Sequence, residues 1–245
     1  MISVIIPALN EAQNLPGVLA ALAGDGVEAE IIVVDGGSAD GTPDVARRAG
    51  VRVIETAPGR GGQLRAGAEA AAGDVLWFLH ADSRVPAGAL IAVADALAAA
   101  PEAVGGNFRL LFDGDDEFSG WLDDFYARIR AKGVYYGDSG VFVRRSAYEA
   151  LGGIPRLAVM EDYDFNRRLE RLGPTLCVDE PPLVTSSRRF EGRRKWAIIT
   201  GWLVIHGLFY LGVSDRWLAK LYDSARRRRK KALRRTIPHP STGSG

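Results

Sequence analysis

Residues 2–37, ISVIIPALNEAQNLPGVLAALAGDGVEAEIIVVDGG, hold the pattern on which the fold turns. "ISVII" (2–6) and "EIIVV" (30–34) are short, branched and almost continuously apolar, as strands covered on both faces must be. Between them, "NLPGVLAALAG" reads as a helix closed by a glycine in the usual stop position. Strand, helix and strand in this order predict a parallel pair joined by a helical crossover.

The rhythm continues. "VRVI" (51–54) and "DVLWFL" (74–79) read as further strands, "TPDVARRAG" and "GGQLRAGAEAAAG" as the intervening helices, and "PAGALIAVADALAAA" as a fourth helix beginning at Pro86. With right-handed crossovers these pieces form a parallel sheet covered by helices. After about residue 103 the pattern changes. "AVGGNFRLLF" and "VYYGDSGVFVRR" look like strands around a helix in "DDEFSGWLDDFYARIRAK". "SAYEALGGIP", "MEDYDFNRRLERLG", "PTLCVD" and "PLVTSS" add short helices and strands. No period of the solenoid type is present.

Composition frames the function. The 245 residues are 47% hydrophobic and 25% charged, as in an ordinary globular chain able to bury a large core. The single cysteine, Cys177, cannot form an intrachain disulfide, and "MISVIIPALNE" enters a strand directly. Both features predict a reduced, cytoplasmic setting. The net charge of +1 conceals a division: residues 1–187 carry 16 Lys and Arg against 27 Asp and Glu, and residues 188–245 carry 15 against 3. A basic tail on an acidic body suits an anionic surface, or else a solvated helix that compensates the body's charge.

In open parallel sheets, ligands collect beyond the carboxyl ends of the strands. Those ends are "PALNE" (7–11), "DGGSADGT" (35–42), "TAPGRGGQ" (56–63) and "HADS" (80–83). Three bring carboxylates and one brings glycine and arginine, a combination suited to a metal-bound pyrophosphate. Read alone, His80 and Asp82 are either a charged strand cap or the start of a metal site. Ser38, Asp40 and Thr42 read equally as turn and helix-capping residues, and Arg60 and Arg65 as anion-binding donors near a helix start.

Taken in order, "VIIPALNEAQNL", "IIVVDGGSADGT", "GRGGQLRAGAEAAAGDVLWFLHAD", "GDSGVFVRRSAYEALGGI" and "MEDYDFNRRL" resemble the nucleotide-sugar-dependent glycosyltransferases of family 2. The resemblance covers roughly residues 2–187 and implies a GT-A architecture, a Rossmann-like, mostly parallel α/β sheet flanked by helices. The expected organisation is a catalytic domain at 1–187, a basic and apolar helical appendage at 188–235, and a disordered tail at 236–245.

The resemblance also implies roles. Asp35 would hold the nucleoside, with Pro7, Ala8 and Glu11 forming the other wall. Arg60 and Arg65 would meet the diphosphate. Asp82 would bind Mn2+ or Mg2+, with His80 standing where the family usually has the first aspartate of Asp-x-Asp. Asp162 would be the catalytic base beside Glu161 on the substrate side, and Asp138 and Ser139 would face the acceptor. The implied reaction is an inverting transfer from a nucleoside-diphosphate sugar, with uridine the commonest base, to an acceptor hydroxyl of unassigned class.

Two other classes stay open. A sugar nucleotidyltransferase would place a glycine-rich phosphate loop after its first strand, where this chain has "PALNE". A non-catalytic nucleotide-sugar-binding protein would share the pocket without turnover. A dinucleotide dehydrogenase is disfavoured, because no G-x-G-x-x-G follows the first strand.

In the tail, "WAIITGWLVIHGLFYLGV" (196–213) contains no Lys, Arg, Asp or Glu. It reads as a helix packed on the body or on a second subunit, as a segment at a membrane surface, or as a minimal span. Eight basic residues within 226–235 favour anionic lipid, and the protein would then be peripheral to the inner face of the membrane. Nucleic acid is disfavoured for want of an aromatic-interleaved recognition motif.

Overall fold

The computed structural model describes residues 1–187 and 195–222. Four βα units come first: β1 (Ile2–Ala8), α1 (Leu15–Ala23), β2 (Ala29–Asp35), α2 (Thr42–Arg48), β3 (Arg52–Glu55), α3 (Arg60–Ala70), β4 (Val75–Phe78) and α4 (Ala89–Ala99). There follow β5 (Gly105–Phe112), α5 (Glu117–Arg130), a 3₁₀ turn (Gly137–Ser139), β6 (Phe142–Arg144), α6 (Arg145–Ala150), α7 (Glu161–Leu172) and β7 (Thr175–Thr185). The last complete element is α8 (Lys195–Tyr210). The strands form one seven-stranded sheet in the order β3-β2-β1-β4-β6-β5-β7. Only β6 runs against its neighbours, pairing antiparallel with both β4 and β5.

Chain contacts divide the molecule into a larger unit, Met1–Arg156 with Met160–Arg193, and a smaller one, Leu157–Val159 with Arg194–Gly245. Within the larger unit, β1 and β2 pair in register from Ile2↔Ala29 to Ala8↔Asp35, so both strands end at the same level. Ile5, Ile32, Val34, Leu64, Leu76, Phe78, Phe165 and Leu169 are packed together in the core. Helix α3 lies very close to the sheet at Gly67, where an added Cβ would stand 2.4 Å from Ile5 Cγ2. On the other side of β4, Trp77 stacks on Phe108 at 5.3 Å between ring centroids and donates its indole N–H to the Gly140 carbonyl at 3.0 Å. Trp77 is fully buried. Its bond therefore pins the loop entering β6 against the end of β4.

Several boundaries differ from the sequence reading. Helix α4 begins at Ala89, not Pro86, because Gly88 just before it takes a left-handed φ of 80°. "VYYGDSGVFVRR" contributes only three strand residues; its first half forms the 3₁₀ turn. "PTLCVD" and "PLVTSS" belong to one strand, β7, whose pairing with β5 shifts register between Phe108 and Leu110. The glycine stop does not end α3, whose cap is Ala71 in an extended conformation.

In the smaller unit, the Asp215 carboxylate accepts the Ala158 backbone N–H at 2.7 Å. Among the described residues no helix is long and apolar enough to cross a membrane. The span reading of 196–213 is thereby corrected: α8 has 16 residues, about 24 Å at 1.5 Å per residue, against a hydrocarbon core of about 30 Å. The tail expected at 236–245 and the basic run at 226–235 lie outside the described residues.

Candidate active site

The carboxyl ends of β1, β2 and β4 and the amino end of the reversed β6 share one edge of the sheet, and the sequence-predicted residues collect there. At the β1–β2 corner, backbone and short side chains close on one another. Asp35 is buried, and its carboxylate accepts the N–H groups of Gly37 and Ser38, each at 2.9 Å, and the Ser38 hydroxyl at 2.5 Å. Ser38 Oγ in turn accepts from Asn10 N at 2.8 Å, and Asp40 accepts from Ala12 N at 3.1 Å and Thr42 N at 3.0 Å. Thr42 Oγ1 accepts the Glu11 N–H at 2.8 Å, while the Glu11 carboxylate accepts from Asn14 Nδ2 at 2.6 Å. Pro7 and Ala8 are the last two residues of β1. The turn roles expected of Ser38, Asp40 and Thr42 are thus observed, although Gly41 rather than a side chain caps α2.

Sequence reasoning missed Gln63. Its buried Nε2 donates to the carbonyls of Ala8, at 2.9 Å, and Val34, at 2.7 Å, fastening the ends of β1 and β2 from above. The only signal was a polar residue one helical turn into an otherwise small-residue segment.

A second cluster is built from charge. Arg60 opens α3, and Glu161 and Asp162 open α7. Arg60 Nε meets Glu161 Oε1 at 2.5 Å, and Nη2 meets Asp162 Oδ2 at 3.0 Å, joining positions about a hundred residues apart. Glu161 is only 3% exposed. Asp162 also accepts the N–H of Gly137 at 3.0 Å and of Tyr163 at 2.8 Å. Before it, Met160 holds a left-handed φ of 68°, which turns the chain sharply into α7. Carboxylates at this end also suit the positive pole of the helix.

Burial raises the Asp162 pKa, but the Arg60 charge and the two backbone N–H groups outweigh it and hold the carboxyl below its ordinary value. Burial opposes the charge on Arg60 too, yet Asp162 and Glu161 more than compensate and keep it firmly protonated. His80 is pushed the other way. Burial and the Arg60 charge favour the neutral imidazole over the attraction of Asp138, Asp82 and Asp162.

His80 and Asp82 follow β4 but have different surroundings. A Cβ placed on Gly137 would stand 3.1 Å from Asp162 Oδ2 and 3.5 Å from His80 Nε2, so His80 Nε2 faces the Gly137–Asp162 side. Asp82 is exposed and lines a cavity of about 320 Å³ with Asn14, Ser83, Arg84 and Asp113. Asp138 and Ser139 are buried in the 3₁₀ turn, where the Ser139 hydroxyl donates to the Tyr136 carbonyl at 2.7 Å. That turn is held to α7 by Asn166, which donates to the Tyr135 carbonyl at 3.0 Å.

Arg65 is not brought to this cluster. Its guanidinium pairs with Glu69 at 3.1 Å and donates to the carbonyls of Gly152 and Ile154, at 3.1 and 3.0 Å, fastening the loop after α6. The sequence reading sets it with Arg60 at the diphosphate; its guanidinium is engaged with Glu69 and the loop after α6 instead.

Among the described residues no group of three or more His, Cys, Asp or Glu gathers around a common metal position. The donor chemistry still fits a hard divalent cation of limited protein ligation. A solvent-facing carboxylate such as Asp82 suffices where phosphate oxygens and water complete the shell. His80, with Nε2 toward Asp162, fits a metal-ligand role less well.

Comparison with known proteins bears on the family and the fold. Residues 3–151, more than half of the chain, match the family described as Glycosyl transferase family 2. A PGL/p-HBAD biosynthesis glycosyltransferase of Mycobacterium bovis is 30% identical over 204 residues, 76% of this chain and 72% of that protein. An uncharacterized glycosyltransferase of Mycobacterium tuberculosis is 41% identical over 90 residues, 36% of this chain and 40% of its own length. The first relatives are therefore matched over only about two-fifths of their length. Among solved structures, the mannosyltransferase PcManGT from Pyrobaculum calidifontis, in complex with GDP-Man and Mn2+, superposes with a TM-score of 0.64 at 20% identity, covering 98% of this chain and 76% of that one. S. aureus TarS 1-349 gives a TM-score of 0.62 at 17% identity, over 76% of this chain and 60% of that chain. Both neighbours are GT-A glycosyltransferases, and the sheet with its single reversed strand is of that type. By matched sequence and by fold, the chain belongs to glycosyl transferase family 2.

Proposed function

We propose that the protein transfers a sugar from a nucleoside-diphosphate sugar, UDP-sugars first, to an acceptor hydroxyl with inversion at the anomeric carbon. The observation that carries this reading is the convergence of Arg60 with Glu161 and Asp162 at the carboxyl edge of the sheet. One guanidinium there can exchange two carboxylates for two phosphate oxygens.

The β1–β2 corner with Pro7, Ala8, Glu11 and Asp35 is the nucleoside wall, and its closed hydrogen bonding makes it rigid before the donor arrives. Asp82 holds the cation, Mn2+ or Mg2+, which when bound neutralises charge on the diphosphate. Arg60 shares that task as a charge-assisted donor. As it turns toward the diphosphate, Asp162 loses the cation that depresses its pKa and becomes a better proton acceptor. Asp162 then takes the acceptor proton, the acceptor oxygen forms its bond to the anomeric carbon, and the bond to the diphosphate breaks with its electron pair leaving on the nucleotide. Neutral His80 beside Asp162 orients that carboxylate, and Asp138 and Ser139 lie on the acceptor side.

The supporting neighbours include complexes with UDP, with UDP-GlcNAc and with GDP-Man and Mn2+, so both bases belong in the test. Incubating UDP- and GDP-sugars with Mn2+ or Mg2+ should release free nucleoside diphosphate, with water as the acceptor. Asp162→Asn keeps the shape of the side chain but cannot take a proton, so turnover should fall by about 100-fold or more while donor affinity holds. Near-normal turnover would reject Asp162 as the base. Asp82→Ala should remove the Mn2+-dependent part of nucleoside-diphosphate binding in calorimetric titration, and unchanged metal dependence would remove Asp82 from the cation site. Pyrophosphate release from a sugar 1-phosphate and a nucleoside triphosphate would instead identify a nucleotidyltransferase.

A further inference from the structure

Helix α8 shows one face to solvent, and that face is uncharged from end to end. Its exposed positions are Trp196, Ala197, Thr200, Leu203, Val204, Gly207 and Tyr210, spaced three or four residues apart as a single helical stripe requires. Exposure is high, at 76% for Trp196, 66% for Leu203 and 63% for Tyr210, and Leu211 just beyond reaches 81%. Large apolar groups gathered this way on a water-facing surface mark an interaction site. The one aliphatic hydroxyl in the stripe, on Thr200, donates back to the Trp196 carbonyl at 2.7 Å, so it asks nothing of a partner. Aromatic rings stand at both ends of the helix, and Trp217 and Tyr222 are exposed on the helical residues 215–222 that follow.

Charge decides the occupant. Lys195 precedes the stripe, Arg216 and Lys220 are exposed after it, and the sequence then places eight Lys and Arg within 226–235. An uncharged face edged by aromatic rings and followed by a cationic segment matches the interface of an anionic bilayer. Apolar side chains enter the acyl boundary there, rings sit at headgroup level, and cations meet lipid phosphates. A second copy meeting this one stripe to stripe would bring the same basic segment to the contact, whereas anionic lipid brings only opposite charge. We infer that α8 lies in the plane of an anionic lipid surface through Trp196, Leu203, Val204, Tyr210 and Leu211, with the basic segment at 226–235 supplying the electrostatic attraction. The inference is independent of the donor chemistry above.

The test uses the full chain. Co-sedimentation with vesicles of phosphatidylcholine mixed with phosphatidylglycerol should show binding that weakens as salt rises and is much lower on phosphatidylcholine alone. Leu203→Glu with Leu211→Glu changes only exposed positions and should lower partitioning by about tenfold or more. Its melting temperature and donor hydrolysis should match the parent. Brominated lipid should quench tryptophan fluorescence in the parent, and Trp196→Phe should diminish that quenching. Equal vesicle binding by the double variant and the parent would overturn the role of the face, including the case in which only deletion of 223–245 abolishes binding. A parent that ignores anionic vesicles but forms a concentration-dependent dimer in sedimentation velocity, dissolved by the double substitution, would assign the face to a second copy instead.

Discussion

Two clusters on the same edge of the sheet solve opposite problems. At the β1–β2 corner, Asp35, Ser38, Asn10, Asp40 and Thr42 satisfy one another through short-range bonds between two neighbouring loops. Around Arg60 on α3, the partners come from α7 and the turn before β6, and two full-charge ion pairs dominate, with one backbone N–H to Asp162 beside them. The corner is a wall with nothing left to rearrange. The junction is a set of charges held in balance, and a balance can be shifted by a ligand that brings charge of its own. A closed hydrogen-bonded corner and an exchangeable ionic junction therefore sit on the same edge, as the proposed division between nucleoside and diphosphate requires.

The hardest test of that contrast is Arg60→Ala. Removing one partner of a buried pair strands the other, and Glu161 has almost no water to turn to. The cost should be about 2–3 kcal/mol in denaturant unfolding, discounted from the buried-pair range because the Arg60 side chain is itself 38% exposed. Adding Glu161→Gln should recover part of it, and a cycle with no recovery would mean that the pair is not coupled. The sign with pH follows from Asp162. Its folded pKa is depressed, so its contribution is present above the ordinary carboxylate pKa of about 4 and is lost as pH falls through the folded value. Arg60→Ala should flatten that acid limb of the stability curve.

Next in size is Gln63→Leu at the corner. Two strand-end carbonyls lose a buried donor, and about 1–3 kcal/mol should disappear with no change in acid sensitivity. A loss confined to low pH would mean that the corner depends on charge as the junction does. Ser38→Ala should be milder, about 1 kcal/mol, because Asp35 keeps the N–H bonds of Gly37 and Ser38.

The smallest effect belongs to a control at the opposite edge. Glu30 is raised by burial but lowered more by the Ala72 N–H, the Ser3 hydroxyl and Arg52, so it too stabilises above its ordinary pKa and less as pH falls through the depressed one. Glu30→Gln should cost under about 1 kcal/mol at neutral pH and nothing at acid pH. A larger loss would show that carboxylates far from the site carry the acid dependence.

Much of this was legible in the chain. The strands β1 to β4 announce themselves by branched apolar runs, and the loops that follow them carry the residues found at the edge. Arg65 lies apart from Arg60 for a geometric reason: five residues along a helix turn a side chain about 140°. His80 and Asp82, two apart after a strand, suggested a shared direction, but the chain has left the sheet by then and alternation no longer holds. Gln63 was invisible because its partners are main-chain carbonyls, which no sequence pattern marks. The pairing of Arg60 with α7 was equally hidden. It depends on β6 entering the sheet backwards, and a three-residue strand carries no sign of its direction.

That reversal has a consequence for how such a molecule can be altered. β5 and β6 are antiparallel neighbours, with β6 beginning opposite Gly106, so residues 113–141 join them without crossing over any other strand, and α5 within that stretch returns to β5 where Asp123 accepts the Phe112 N–H. Every connection among β1 to β4, by contrast, is threaded along the length of the sheet by a helix. The stretch at 113–141 behaves topologically as a cassette: α5 and its rings, Phe118 on Trp121, Trp121 on Phe125, and Tyr126 against Tyr136, travel with it, ending where Tyr136 stacks on Tyr163 beside Asp162. A stretch of this kind can be lengthened, shortened or transplanted between homologues without reweaving a single strand of the parallel frame β1 to β4.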